Sequence, residues 1–519
     1  MRTRAVALLV ALAAAAALSG CTPAVAPSTA GIPAQTQAQS QAQTKPQTVP
    51  QTTAPTQVAD VIGQEWLGYH SDDARTGALP ADNALDHLRQ EWSTTLPGGV
   101  HNQPVAADNR IIVADESNHV SALNVRTGTV LWRVSLGTPL THVVKYAGCG
   151  NLDPLGITST PVIDDATDVV YVVGEVQTSL GHVHHQLVGI NILTGAVVLS
   201  ENVDPPLPSG ESAIHLLQRT SLALANGRVY IGFGGNDGDC GRYHGWVVGV
   251  NETGAPAKVS FEVASDGEGG AIWQGGGAPA IDGAGNIYVT TGNANPDPPL
   301  GGPDPKRYTE SVVKLSPNLA PLASFKDVIA GGDEDLSTGN PVLLPNGNVF
   351  SIGKTRVGYV LQQSDLSEVA RIPHICGSDP DGGPAYDPTR DEIFVPCRSG
   401  GIQQVFLGSA GSSLPAFSGA PHVGARLQGA NSAPILIGEK LWALSYLDNS
   451  LTEFDVATDT VVQSRSMGAT VAHFESPTLA YGLVLVGTYK GVVAFAGSAI
   501  SSGPHCDPAL VAQLGLSCI

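Results

Sequence analysis

Aromatic residues make up only 5% of this 519-residue chain and charged residues only 14%, and there are just two methionines. Long helices draw on Leu, Glu, Lys and Arg and tolerate Gly and Pro poorly, yet the chain carries 61 Gly and 37 Pro. That composition disfavours a helical architecture and points to many short strands joined by tight turns. Basic residues are also in deficit, 26 Lys+Arg against 46 Asp+Glu, for a net charge of −20. A surface that tracks phosphates needs concentrated Lys and Arg, so nucleic acid is not an expected partner. The excess of acid is read as a solubility device. The opening apolar run, Ala5 to Leu18, is too short for a permanent span of a bilayer about 30 Å thick.

That run has the parts of an export signal instead. Arg2 and Arg4 form a positive head, and Leu18-Ser19-Gly20-Cys21 closes the apolar stretch. The closing tetrad resembles the bacterial lipobox, in which the Cys is acylated and becomes the mature N-terminus. Residues 1–20 are therefore expected to be a lipoprotein signal peptide and Cys21 the lipid attachment site. The protein is then exported and anchored to the outer face of a membrane or held in the cell envelope. Residues 21–58 are Ala, Gln, Thr, Pro and Ser with almost no bulky apolar side chain. Such a tract cannot offset its ordering entropy by burial, so a flexible tether is expected. Trp66 and Tyr69 mark the start of globular sequence.

Six further cysteines remain, and export to an oxidising compartment makes an even number suggestive of disulfides. Cys376–Cys397 and Cys506–Cys518 are the expected local pairs, which leaves Cys149 with Cys240. None forms a Cys-x-x-Cys-His group, so attached haem is not indicated, and none clusters as zinc ligands do.

From Trp66 on, one phrase keeps returning. A Pro-led or small-residue start precedes a short apolar strand, an Asp/Asn/Gly turn, a Val/Ile/Tyr-rich strand, a third strand and often Thr-Gly. Gln103-Pro104-Val105 through Arg110–Val113 and Val120–Val125 to Thr127-Gly128 is the first copy, with Trp132 on its last strand. Thr160-Pro161-Val162 and Leu222-Ala223-Leu224 open the next two. Ala278-Pro279, Asn340-Pro341, Gly383-Pro384, Ala433-Pro434 and Ser476-Pro477 open the rest, eight copies in all. Pro suits the first residue of a strand, and Asp-Asn, Asn-Gly and Thr-Gly supply turns with φ > 0.

Self-similarity at roughly 40–60 residues, with four strands per unit, is the mark of propeller blades. The fold class expected is all-β, an eight-bladed propeller of four-stranded antiparallel blades over residues 59–500. The eighth copy lacks an outer strand, and Glu91–Leu96, upstream of the first, is an orphan strand that would complete it and latch the ring. Residues 501–519 are then a tail pinned by Cys506 and Cys518. Two β-sandwich domains, the alternative, would show a composition shift in mid-chain, and none is seen.

Gly156–Asp164, Tyr243–Gly249 and Gly285–Asn293, with the opening Trp66–Gly77, resemble the repeats and lead-in of the pyrroloquinoline-quinone (PQQ) propeller superfamily. The resemblance implies a PQQ-dehydrogenase-like fold. It leaves function open, because the superfamily holds both quinone-dependent dehydrogenases and non-catalytic members, among them a lipoprotein that helps assemble outer-membrane barrels. The enzymes sandwich PQQ between a Trp and a vicinal disulfide and set Ca²⁺ beside it. An Asp acts as base, and an Arg or Lys lies by the quinone oxygens. A flat tricarboxylate suits a stacking ring and cations, Ca²⁺ suits hard oxygen ligands, and a substrate alcohol must lose a proton as hydride leaves.

Against that pattern Asn293 matches a calcium ligand, Asp335 falls near the catalytic base and Lys354 matches the cation. Trp273 is a stacking candidate that lies a few residues upstream of its place. No adjacent Cys pair exists, and the calcium-ligating Glu is replaced around Cys240. The preferred readings are therefore a turn residue for Asn293, a loop-capping carboxylate for Asp335 and a solvated charge for Lys354. His182, His184 and His185 share one stretch, with His182 and His184 on one strand face, and Asp237 and Asp239 flank Gly238 in a surface turn. The histidines lack a nearby carboxylate partner for a metal site, and the aspartates resemble a Ca²⁺ loop only faintly, so a surface turn is the preferred reading.

The expectation is a cofactor-free, monomeric propeller that binds a protein or polysaccharide through the long inserts 174–186, 234–244 and 293–307. Besides that ligand, its partner is the lipid bilayer, reached through Cys21. The alternative is a PQQ- and Ca²⁺-dependent dehydrogenase of alcohols, aldehydes or sugars; an inert envelope component is a third reading.

Overall fold

Short apolar segments joined by two-residue turns fold back on themselves as antiparallel hairpins. Asp108-Asn109, Asn226-Gly227 and Tyr481-Gly482 each place two successive residues at positive φ, the geometry that matches strand twist. The computed structural model describes residues 64–80, 85, 87–254, 258–295, 308–327, 333–408 and 420–497. All belong to the unit that runs from Pro46 onward. The signal and tether with Cys21, the tail with Cys506 and Cys518, and most of the insert 293–307 lie outside the described residues.

The hairpins assemble into eight four-stranded antiparallel blades. In chain order, seven of them span 105–135, 162–202, 223–262, 280–326, 342–372, 385–427 and 435–466. The eighth joins Thr478–Ala480, Leu483–Thr488 and Gly491–Ala496 to Arg89–Thr95. The expected latch is thus formed, with Trp92 opposite Ala494 and Thr95 opposite Gly491. It begins at Arg89, two residues before the expected start, and Leu96 only donates its N–H to Lys490 O at 3.0 Å. The insert 174–186, expected as a loop, instead lengthens a hairpin of blade 2, Val169–Ser179 with His182–Asn191.

Burial follows position in the blade. The middle strands are covered on both faces by neighbouring blades, so Leu483–Thr488 and Glu392–Cys397 are buried throughout. The outer strands face water, and Thr460–Ser466 is buried at no position. That is why the middle strands read as unbroken apolar runs and the outer ones do not.

Two of the Thr-Gly turns account for two of the six tryptophans. Gly128 and Gly195 sit at φ +68° and +73°, and each receives the indole of the preceding blade's outer strand. Trp92 lies over Gly128 and donates Nε1–H to Val125 O at 3.0 Å, while Trp132 lies over Gly195 and donates to Ile192 O at 2.8 Å. A Cβ on Gly128 would fall 2.5 Å from the Trp92 ring. The turn and its neighbour's ring therefore fix each other.

Inside the ring the lead-in visits one inner strand after another. Gln64 O accepts from Tyr481 of blade 8, Trp66 exchanges two bonds with Ala106 of blade 1, and Leu67 O accepts from Ile163 of blade 2. Asp73, Ala74, Thr76 and Gly77 carbonyls then accept from Ile281, Leu343, Tyr386 and Leu436 of blades 4, 5, 6 and 7. Ala78–Leu79 ends as a parallel strand on blade 7. The bare inner edges of the blades are thereby covered. Buried Arg75 holds the turn of this segment, donating to Tyr69 O, Asp72 O and Pro279 O at 3.1, 2.7 and 3.0 Å.

Because Gly195 combines positive φ with an indole 2.9 Å from any Cβ, Gly195→Ala should destabilise the ring by about 1–3 kcal/mol. The denaturant midpoint measures this, and a midpoint equal to that of the parent chain would contradict the docking role.

Candidate functional site

In a blade of four antiparallel strands, the turn between the second and third strands lies at the same end as the connection to the next blade. Both kinds of loop therefore crowd one face. Three residues singled out from the sequence meet there. Asp335, in the connection from blade 4 to blade 5, is fully buried. Its Oδ1 accepts from Asn293 N–H at 2.8 Å, and its Oδ2 from Lys354 Nζ at 2.7 Å. Lys354 N–H donates to Asp335 O at 2.9 Å, and Lys354 Nζ also reaches the exposed Asp333. Gly292 is glycine because a Cβ there would stand 2.4 Å from Asp335 Oδ1. Burial raises the Asp335 carboxyl to about 6 against the pull of Lys354. Burial lowers Lys354 too, but the two aspartates outweigh it and hold it above its ordinary value.

Around this pair the loop face is already occupied. Tyr243 OH donates to Asp239 Oδ1 at 2.6 Å, and burial raises that carboxyl. Where the resemblance calls for a calcium-ligating Glu, Cys240 is bonded to Cys149 and ties the connection between blades 1 and 2 to the turn of blade 3. Cys376 and Cys397 are likewise bonded. Trp273 is half-buried, donates Nε1–H to Gly235 O at 2.9 Å, and covers Gly234. Its ring is a packing element of blade 3.

These residues do not fit PQQ with calcium. An ammonium stands 2.7 Å from one oxygen of Asp335, the candidate base, and the other oxygen is held by an N–H, so neither is open to a substrate's proton. Asp239 is engaged by a phenol. Among the described residues no group of three or more His, Cys, Asp or Glu is arranged to hold a metal.

A second cluster on the same face escaped sequence reading. Fully buried Asp381 accepts from His473 Nε2, Tyr446 OH and, at 3.3 Å, Arg398 Nη2, which joins the turns of blades 6 and 7 to the connections flanking them. His473 stacks on Phe474 at 3.9 Å, and the Arg219 guanidinium lies 5.5 Å from the other ring's centroid. Beneath them Glu475 and Glu116 are buried. Burial drives Glu475 well above the carboxylate range and Glu116 up to about 7, with Arg219 pulling both back. The signal was positional. Asn102, Arg219, Asp381 and Glu475 all fall within a few residues before the start of an inner strand, and those positions face the ring's interior.

The histidines of blade 2 divide as strand alternation requires. His182 and His184 share the outer face, whereas His185 is fully buried. Its Nδ1 lies 2.9 Å from Asp204 Oδ1 and its Nε2 lies 3.7 Å from Glu175. Burial lowers His185, but the two carboxylates win and raise it to about 9. The triad is an internal strut.

Two expectations follow. The fold holds the His185 proton more tightly than the unfolded chain, where the group titrates near 6.5. The stability this contributes is complete below pH 6.5 and is lost as pH rises through about 9. Denaturant midpoints should fall across that window, and His185→Gln should remove the fall. Lys354→Met should cost about 3–5 kcal/mol at pH 8 by stranding a buried carboxylate, and less at pH 5, where Asp335 takes up a proton. Equal losses at the two pH values would contradict the ion pair.

Comparison with known proteins agrees with this architecture. The family model described as outer membrane protein assembly factor BamB matches residues 84–240. A polyvinylalcohol dehydrogenase of Sphingopyxis sp. (strain 113P3) is 32% identical over 84 residues, 15% of this chain and 13% of that protein. Quinohemoprotein alcohol dehydrogenase from Comamonas testosteroni superposes with a TM-score of 0.63 at 15% identity, covering 83% of this chain and 80% of that one. BamB from Moraxella catarrhalis does so with 0.50 at 12%, covering 79% and 99%. The chain is an eight-bladed propeller whose fold is similar to that of the PQQ dehydrogenases.

Proposed function

We propose that the chain is a non-catalytic binding propeller, anchored through acylated Cys21 at the outer face of a membrane. Its loop face presents to an envelope ligand, a protein or a polysaccharide. The observation that carries this reading is the state of Asp335. A general base must reach its substrate's proton, but this carboxylate is fully buried and both its oxygens are occupied, one by the ammonium of Lys354. It acts as a clamp between the connection into blade 5 and that blade's own turn. The missing adjacent cysteines, the bonded Asp239 and the backbone-tied Trp273 support the same conclusion.

The second reading, a PQQ-dependent dehydrogenase of a hydroxyl-bearing substrate, is favoured by the meeting of Asn293, Asp335 and Lys354. The short match to a protein called polyvinylalcohol dehydrogenase adds to it.

One experiment has an arm for each. Full-length chain is mixed with PQQ and Ca²⁺, and quinone absorbance and dye-linked oxidation of alcohols, aldehydes and sugars are followed. In parallel, the chain is sedimented with isolated cell envelopes, with Cys21→Ser removing the anchor. The expected outcome is no quinone uptake, no oxidation, and sedimentation of the Cys21→Ser chain that saturates with added protein. Uptake that is lost in Asp335→Ala would replace this reading with the second.

A further inference from the structure

The loop face carries one more feature, remote in sequence from Asp335. The turn of blade 7, the turn of blade 8 and the connection between those blades border an open cleft of about 360 Å³. That is within the range of small-ligand sites, roughly 300–1,000 Å³. Its lining is unusual for such a site. Asp448, Asn449, Ser466, Thr470 and Lys490 contribute a carboxylate, an amide, two hydroxyls and an ammonium, and no large apolar side chain takes part. Small-molecule pockets are mostly apolar, so this lining selects against hydrophobic ligands.

The charges are not spent on each other. Among the described residues neither Lys490 Nζ nor the Asp448 carboxylate forms an ion pair, and the carboxylate accepts only from Ser445 Oγ, at 3.3 Å. One free cation beside one free anion suits a ligand with no net charge. Asn449 is held in place by accepting from Val471 N–H at 2.9 Å, which leaves its amide N–H groups to donate. Next to the cleft stands Tyr489, whose N–H is fixed to Thr470 O at 2.9 Å. Its ring is braced edge-on by His101 at 4.7 Å, yet remains 50% exposed. A braced, half-exposed aromatic ring beside mixed donors and acceptors matches the two surfaces of a pyranose, an apolar C–H face and a rim of hydroxyls.

We propose that this cleft binds a neutral, hydroxyl-rich oligosaccharide segment, with one sugar in the cleft and its neighbour on Tyr489. The inference rests on the binding reading above and names its ligand class. A peptide is disfavoured, because peptide grooves offer a sheet edge or apolar pockets for side chains and this cleft offers neither. A polyanion is disfavoured by the chain's net charge of −20.

The test is titration calorimetry of the full chain with neutral tetrasaccharides of β-1,4-glucose, α-1,4-glucose and β-1,4-N-acetylglucosamine. Saturable binding of at least one is expected. Ala469→Trp, which fills the cleft, and Tyr489→Ala should each weaken it by about tenfold or more, with unchanged denaturant midpoints and with Tyr489→Phe retaining affinity. Binding that ignores Ala469→Trp would place the sugar elsewhere and overturn the assignment. If no tetrasaccharide binds while the chain still sediments with envelopes, the sugar assignment fails and the binding reading survives. If neither occurs, both fail.

Discussion

Closure of the ring is the constraint from which the other features follow. A blade has two apolar faces and cannot cover either alone, so its middle strands are buried only while a neighbour stands on each side. In a row of blades the first and last would each leave one face in water. Pairing Arg89–Thr95 with Gly491–Ala496 removes both ends at once by building the eighth blade from the two extremities of the domain. Loop-closure entropy grows only slowly with length, so joining such distant segments costs little more than joining near ones. Trp92 then repeats, across the seam, the docking that Trp132 performs between blades 1 and 2.

The closed ring leaves an interior that must also be filled. The lead-in fills one part of it, bonding to the inner strand of nearly every blade, with Arg75 satisfying the carbonyls at its tightest turn. Toward the loop face the interior is polar. Gln103 Nε2 donates to Pro477 O at 2.6 Å, Gln103 N–H to Thr160 Oγ1 at 3.0 Å and Thr160 N–H to Ser221 Oγ at 3.2 Å. Side chains just ahead of the inner strands thus stitch one blade to the next. Asp335 with Lys354, and Asp381 with His473, Tyr446 and Arg398, extend the same device with charge. Buried pairs of this kind add little net stability but penalise any arrangement that separates them, so they specify position more than they strengthen the fold.

Most of the architecture was legible because it is local and repeated. A Pro or small residue before each inner strand, two-residue turns at positive φ and Val/Ile-rich middle strands are requirements of each blade separately, and they recur at each. The site was only partly legible. Asn293, Asp335 and Lys354 were recognisable as positions, but whether Asp335 would be an open base or a clamped carboxylate depends on what stands within 3 Å of it. His185 was visible as a histidine, while Asp204 and Glu175 become its partners only through the pairing of an extended hairpin.

The amino-acid sequence alone determined the strand-turn alphabet, the repeat and the strand left over to close the ring, since propensity, turn chemistry and alternation act over a few residues. Tertiary structure alone decided where Trp273 turns its ring, how the lead-in threads the inner strands, and which carboxylates are buried against a cation. Those outcomes depend on contacts between blades, and a contact between blades exists only once the circle is complete.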